Sequence, residues 1–119
     1  MIENWLKVLI FNTDTNSFIL VRQFRLPVYV HKEQQGEKVT GSDGLTLEVC
    51  AGIVDKDMSY IEHAVAEVSE ETGYRVTADR LELINCYLGA VGISGIHARA
   101  YYVQVTNQDV YTVLTCARL

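Results

Sequence analysis

The chain has 119 residues and a mass of 13.4 kDa, which fits one compact domain over residues 1–119. Hydrophobic residues make up 49% and charged residues 21%, a balance that is typical of a globular protein and argues against intrinsic disorder. No apolar run approaches the roughly 18 residues of a membrane span, and a net charge of −5 argues against a general nucleic-acid binder. We therefore expect neither a membrane nor a nucleic acid as a partner.

The first predicted elements form a β-hairpin. Trp5 to Asn12 and Ser17 to Phe24 are apolar, strand-like runs separated by the turn-forming sequence Thr-Asp-Thr-Asn. Pro27 is then expected to end regular pairing, and the polar stretch from His31 to Gly44 predicts a long loop. Leu45 to Ala51 shows alternation and predicts a third strand.

The strongest helix signal follows this strand. Ser59 is a suitable N-cap, Glu62 stands three residues later to complete a capping box, and Gly73 is expected to end the helix. Four apolar residues at i, i+3, i+4 and i+7 predict a stripe that faces a sheet. They are Ile61, Ala64, Val65 and Val68.

Arg80 to Leu88 and Ile96 to Thr106 predict two further strands. The glycine-rich residues 89–95 between them do not follow a strand-to-helix pattern, so they match neither a P-loop nor a dinucleotide-binding loop. The order of hairpin, loop, strand, helix and strands predicts an α/β or α+β fold, in which one helix packs on a mixed sheet.

The three cysteines, Cys50, Cys86 and Cys116, have an odd count and no C-x-x-C spacing. A disulfide framework or a structural zinc site is therefore not expected. Each cysteine has apolar neighbours in the sequence and is predicted to pack as a small hydrophobe. Free thiols of this kind favour a reducing compartment, and we predict a cytoplasmic protein.

The negative charge is concentrated in one segment. Between Asp55 and Glu71 six acidic residues stand against one lysine, which gives −5, and the remaining nine acids and nine bases cancel. Like charges this close repel each other unless water screens them or a cation neutralises them. The cluster is therefore either a helix face exposed to water or a metal site.

Three glutamates of this segment lie on one face of the predicted helix. Glu67, Glu70 and Glu71 have i, i+3 and i+4 spacing and fall within an arc of about 100°. Carboxylates at this spacing suit Mg²⁺ or Mn²⁺, which prefer oxygen ligands, so the three are candidate catalytic and metal-binding residues. His63 lies on the same side of the helix and is predicted to be exposed and to take no part in metal binding.

The segment around these glutamates resembles the Nudix box, whose pattern is G-x5-E-x7-R-E-U-x-E-E-x-G-U, with U an aliphatic or bulky apolar residue. The matching residues are Gly52, Glu67, Val68, Glu70, Glu71, Gly73 and Tyr74. Two positions depart from the pattern, since Met58 stands in place of the first glutamate and Ala66 in place of the arginine. The resemblance implies the Nudix α/β/α sandwich, and all three metal-binding carboxylates are kept.

Two further stretches are similar to Nudix enzymes that act on ADP-ribose and nucleoside diphosphate sugars. Val21 to Arg25 matches their V-R-Q-F-R strand, and Glu48 to Gly52 matches their E-x-x-A-G entry to the box. Within that group, Gly41 to Val54 is most similar to animal UDP-sugar diphosphatases.

The resemblance implies a hydrolase that converts UDP-glucose to UMP and glucose 1-phosphate, with ADP-ribose as the alternative substrate. It also implies Mg²⁺ as cofactor, with Mn²⁺ as a substitute. The implied metal ligands are Glu67, Glu70, Glu71 and the backbone carbonyl of Ala51. The candidate substrate-binding residues are Arg22, Arg25 and Glu48. An exposed strand face is the alternative for the two arginines, and a structural ion pair is the alternative for the glutamate.

The C-terminal residues 107–119 do not fit the family. They contain Asp109 but no glutamate that could act as general base, and they leave no room for the final strand and helix of the sandwich. The chain is therefore expected to be truncated, with a sandwich that is incomplete at its C-terminus. A catalytically silent product that binds metal or nucleotide is the alternative from another class, and the resemblance also allows a homodimer.

Overall fold

The computed structural model describes residues 4–55, 57–89, 96–111 and 117–118. In chain order, its strands and helices are β1 (Asn4–Asn12), β2 (Ser17–Phe24), α1 (Leu26–Gln34), β3 (Leu45–Glu48), β4 (Cys50–Ile53), α2 (Tyr60–Thr72), β5 (Glu82–Gly89), β6 (Ile96–Val105) and β7 (Ala117–Arg118). Short 3₁₀ turns lie at Gly41–Gly44, Ala78–Arg80 and Asn107–Asp109.

The strands form one mixed sheet. Its order is β3-β2-β1-β6-β5, with β4 also paired to β1 and β7 paired to β2. Strand β1 runs parallel to β6 and antiparallel to β2 and β4. The predicted hairpin appears as β1 and β2, and the two later predicted strands appear as β5 and β6. The predicted α/β class, a helix packed on a mixed sheet, is confirmed.

Alternate residues of the central strands form the core with helix α2. The parallel register places Val8 beside Tyr101 and Ile10 beside Val103, and all four side chains are buried. Val68 of α2 is fully buried in the same cluster, so α2 covers this face of the sheet. Each buried aliphatic side chain of this kind contributes roughly 1.5–3 kcal/mol to folding. This packing fixes the position of α2 against β4, where the candidate site lies.

Helix α2 begins and ends where the sequence predicts. The Ser59 hydroxyl accepts a hydrogen bond from the Glu62 amide at 3.2 Å, and the Glu62 carboxylate accepts one from the Ser59 amide at 3.4 Å. Gly73 has a φ of 77° and ends the helix in the left-handed conformation. Ile61, in the first turn, is the exposed member of the predicted apolar stripe.

Two predictions about the segment before α2 are wrong. Residues 26–34 form helix α1, where the sequence predicted an interruption at Pro27 and a loop from His31. Pro27 lies in the first turn of that helix, where its missing amide costs no hydrogen bond. The predicted strand from Leu45 to Ala51 is divided at Val49, because β3 pairs with β2 whereas β4 pairs with β1.

The cysteines divide between two environments. The prediction of a buried, hydrophobe-like thiol is confirmed for Cys50, which is fully buried, and is wrong for Cys86, which is exposed on the edge strand β5. Cys116, the glycine-rich residues 90–95 and residues 112–116 and 119 of the atypical tail lie outside the described residues. Within the described ranges, no helix is long and apolar enough to cross a membrane.

Candidate active site

Two glutamates of α2 face strand β4. Glu67 and Glu71 lie one helical turn apart, and the Glu67 carboxyl group is close enough to raise the pKa of Glu71. Gly52 of β4 lies against Oε1 of Glu67, and a Cβ atom added to Gly52 would overlap the Glu67 carboxyl group. A glycine at this position leaves the Glu67 carboxyl group in place, because any Cβ would occupy the space that this group fills and would displace it.

Glu71 carries a buried oxygen. Its Oε2 atom has no hydrogen-bond partner among the described residues. The pKa of Glu71 is raised to about 7, first by burial and then by the Glu67 carboxyl group, and a hydrogen bond from the Ala51 backbone opposes the rise. Near neutral pH the two carboxylates therefore repel each other unless a proton or a cation offsets their charge.

The chemistry of this pair fits a divalent cation. Mg²⁺ and Mn²⁺ prefer oxygen ligands, and a buried carboxylate oxygen without a partner is an atom that such a cation would satisfy. In the part of the chain that the structure describes, no three His, Cys, Asp or Glu side chains are arranged to hold a metal ion by themselves. Waters, substrate oxygens and the backbone would therefore supply the other ligands. Glu70 is exposed, and its role as a ligand stays a prediction.

Cys50 lies beneath the pair, at the start of β4. Its thiol is fully buried, and burial together with the nearby carboxylates of Glu71 and Glu67 raises its pKa far above the ordinary range. The thiol is therefore protonated and lies close to the Glu71 carboxyl group. The sequence predicts only packing for Cys50, although its position directly before Ala51 and Gly52 of the box is a signal for this contact.

Arg25 and Glu48 form a bidentate ion pair at the rim of the site. Arg25 Nε and Nη2 donate to the two carboxylate oxygens of Glu48, each at 2.7 Å, and Thr46 Oγ1 donates to the same carboxylate at 2.6 Å. Hydrogen bonds from Arg25 and Thr46 lower the pKa of Glu48 to about 2. The charge of Glu48 contributes to the raised pKa of Glu71, so the ion pair lies within electrostatic range of that carboxyl group. The Arg25 side chain is 50% exposed, so its remaining N–H groups can meet a ligand from solvent.

Arg22 lies on the other face of the sheet. In the β2–β3 register Val21 is opposite Glu48 and Arg22 is opposite Leu47, and Val21 is buried in the core under α2. Because successive side chains of a strand point to opposite faces, Arg22 points away from α2 and its glutamates. Of the two predicted arginines, only Arg25 reaches the candidate site.

The prediction that His63 is exposed is wrong. Its side chain is 13% exposed, and its Nδ1 atom lies 3.8 Å from Oε1 of Glu67, one helical turn further along α2. The i, i+4 spacing to Glu67 is the sequence signal for this contact. The burial of the imidazole ring depends on how α2 packs against the sheet, and the residue spacing gives no information about that packing.

Comparison with known proteins supports the resemblance. No family model matches the chain. It is 34% identical over 118 residues to the uridine diphosphate glucose pyrophosphatase of Mus musculus, an alignment that covers 84% of this chain and 53% of that protein. It is also 34% identical over 93 residues to the GDP-mannose pyrophosphatase of Yersinia enterocolitica, covering 78% of this chain and 44% of that protein. The chain thus spans about half the length of these relatives.

Solved structures show the same fold. The crystal structure of an ADP compounds hydrolase has a TM-score of 0.66 and 17% sequence identity, with 98% of this chain and 56% of that chain covered. A Nudix hydrolase from Nitrosomonas europaea has a TM-score of 0.63 and 17% identity, with 100% and 72% covered. The chain has the fold of the Nudix hydrolases, and the resemblance to the Nudix superfamily that the box indicates is confirmed.

Proposed function

We propose that the protein is a Nudix-type hydrolase that uses a divalent cation to cleave the diphosphate of a nucleoside diphosphate sugar. The observation that carries the proposal is the pair of Glu67 and Glu71, packed against Gly52 of the box with a buried carboxylate oxygen to satisfy. Two relatives are named as pyrophosphatases of UDP-glucose and GDP-mannose, which favours a sugar nucleotide. The proposed reaction is hydrolysis of UDP-glucose to UMP and glucose 1-phosphate.

The proposed ligands of Mg²⁺, or of Mn²⁺ in its place, are Glu67, Glu71 and the backbone carbonyl of Ala51, with Glu70 as a further candidate. A bound cation of this kind supplies charge neutralisation on the diphosphate and lowers the pKa of a bound water molecule. Gly52 limits the positions open to the Glu67 carboxylate. The protonated Cys50 thiol adds no further negative charge beside Glu71. The chain thereby restricts the Glu67 carboxylate before a substrate arrives.

Arg25 is proposed to bind the phosphate or ribose part of the substrate. Its guanidinium group is held by two hydrogen bonds to Glu48, so less conformational entropy is lost when it meets an anion. Glu48 then acts by fixing Arg25 and by adding negative charge near Glu71. Arg22 faces away from the glutamates and is the less favoured candidate for the same contact.

A product assay tests the proposal. The purified chain is incubated with UDP-glucose and Mg²⁺, and UMP and glucose 1-phosphate are quantified by chromatography. A Glu67→Gln, Glu71→Gln variant is the matched control, since it keeps the volume of both side chains and removes both charges. Product from the native chain at ten or more times the rate of this control is expected, and equal rates overturn the proposal. Parallel incubations with ADP-ribose and GDP-mannose rank the substrates by kcat/KM.

The assay also separates the hydrolase from a catalytically silent product. If Mg²⁺ with UDP-glucose raises the melting temperature of the native chain and no UMP is formed, the protein binds without turnover. The cytoplasm remains the proposed compartment, supported by the free thiols of Cys50 and Cys86. A homodimer also remains a proposal, and light scattering after size-exclusion chromatography measures its mass.

A further inference from the structure

We propose that His63 is a positioning residue, which holds the Glu67 carboxylate in the orientation that a divalent cation requires. The inference rests on the proposed function of Glu67 and Glu71 as cation ligands. It concerns a residue outside the pattern of the box, since His63 occupies one of the seven unspecified positions before the arginine site.

The first support is the geometry of the pair. His63 Nδ1 and Glu67 Oε1 are 3.8 Å apart, and the two side chains are only 13% and 17% exposed. Nδ1 is buried and has no hydrogen-bond partner among the described residues. A movement of about 1 Å would bring Nδ1 within hydrogen-bonding distance of Oε1. A buried ring nitrogen that lacks a partner favours that movement, because the alternative leaves a polar atom unsatisfied.

The second support is the absence of another basic side chain. Among the described residues, His63 is the only basic residue with a side-chain nitrogen within 4.0 Å of the Glu67 carboxylate. Ala66, the neighbour at the arginine position of the box, has a methyl side chain and cannot donate a hydrogen bond. Besides the close approach of Gly52, the His63 ring one helical turn away is therefore the group that can hold Glu67 by a hydrogen bond.

The third support is that His63 and Gly52 lie near the same carboxylate oxygen of Glu67. Gly52 lies against Oε1, and Oε1 is also the atom that His63 faces. We infer that these two neighbours of Oε1 leave Oε2 as the oxygen that turns toward a cation. Partners in the outer shell that orient a ligand in this way typically change metal affinity by about 10- to 100-fold.

The test uses two substitutions of His63 that differ in whether they keep an N–H donor. His63→Asn keeps an N–H donor close to the position of Nδ1, whereas His63→Leu keeps the bulk and removes the donor. His31→Leu is the matched control, because His31 is an exposed histidine on the other helix, α1. Mn²⁺ binding to each purified protein is measured from the electron paramagnetic resonance signal of the free ion, without substrate or turnover.

We expect His63→Leu to weaken Mn²⁺ binding about 10-fold or more, with His63→Asn within about threefold of the native chain and His31→Leu unchanged. A high Mn²⁺ concentration should restore kcat of the leucine variant while KM for UDP-glucose stays constant, which a merely structural role would not produce. Native affinity in His63→Leu, or equal losses in the leucine and asparagine variants, overturns the inference about His63.

Different results are expected if Glu67 and Glu71 do not bind the cation. If the native chain binds no Mn²⁺, or if Glu67→Gln binds it as tightly as the native chain, the carboxylate pair is not the cation site and both proposals fall. If Glu67→Gln abolishes binding while His63→Leu does not change it, the proposed function stands and only the role of His63 is rejected.

Discussion

The carboxyl group of Glu67 raises the pKa of Glu71, one helical turn further along the same face of α2, and one oxygen of Glu71 is buried without a partner among the described residues. This arrangement costs free energy when both groups are ionised. The pair is therefore expected to limit the stability of the metal-free protein and to be the place where a divalent cation stabilises it most.

Glu71 should make the metal-free protein less stable as the pH rises. Its pKa is raised to about 7 in the folded chain, so the stabilising protonated form is fully present below the ordinary carboxyl pKa and is lost as the pH rises through about 7. In a chelating buffer at pH 8, Glu71→Gln should be more stable than the native chain by about 1–2 kcal/mol, a value reduced for partial exposure to solvent.

Thermal unfolding between pH 5 and pH 8 measures this effect. The native melting temperature should fall across the range, and that of Glu71→Gln should change less. Added Mg²⁺ should restore the native chain at pH 8 and have little effect on the variant. Parallel pH profiles for the two proteins would contradict the assignment of Glu71 as the group that titrates.

A side chain at Gly52 should displace the Glu67 carboxyl group. A Cβ atom there would overlap this group, which is the end of a flexible side chain, so Gly52→Ala should reduce Mg²⁺-dependent hydrolysis at least 10-fold and change the free energy of unfolding by no more than about 1 kcal/mol. Gly41→Ala is the matched control, because a Cβ atom at Gly41 meets nothing within 4 Å. Initial rates and urea unfolding measure both variants, and equal behaviour of the two would reject the close approach of α2 to β4.

Arg25 should contribute to substrate binding more than Arg22. Arg25→Lys replaces the two-pronged contact with Glu48 by a point charge, so KM for UDP-glucose should rise about 10-fold with a smaller change in kcat. Arg22→Lys should change KM less than about twofold, because this side chain points to the opposite face of the sheet. Steady-state kinetics of both variants provide the measurement, and a larger effect at Arg22 would reject the proposed direction of approach.

Asn12 should be required for stability and not for chemistry. Its buried amide donates to Tyr74 Oη and to Asn107 Oδ1, both at 3.0 Å, and its oxygen accepts from backbone amides of the hairpin turn. Asn12→Ala leaves these groups without partners and should cost about 2–4 kcal/mol. Thr15→Ala in the same turn is exposed and should change the free energy of unfolding by less than about 0.5 kcal/mol. Urea unfolding compares the two.

The features that the sequence predicts correctly depend on neighbours along the chain. The Ser59–Glu62 capping box and the left-handed Gly73 delimit α2 because each acts within one turn of helix. The hairpin of β1 and β2 depends on two apolar strands and a short turn. The spacing of Gly52, Glu67 and Glu71 likewise identifies the box, since it counts residues in a strand, a loop and a helix.

The remaining features were decided by contacts between distant segments. The division of the third strand at Val49 depends on which strand each half meets, and the separation of Arg22 from Arg25 depends on which face α2 covers. The burial of His63 beside Glu67 depends on the same packing. By itself, the sequence determined the helix, its carboxylates and the family they resemble. Only the tertiary structure shows that Glu67 and Glu71, and not Glu70, face strand β4. The packing of α2 against the sheet decides this, and residue spacing along the helix does not specify it.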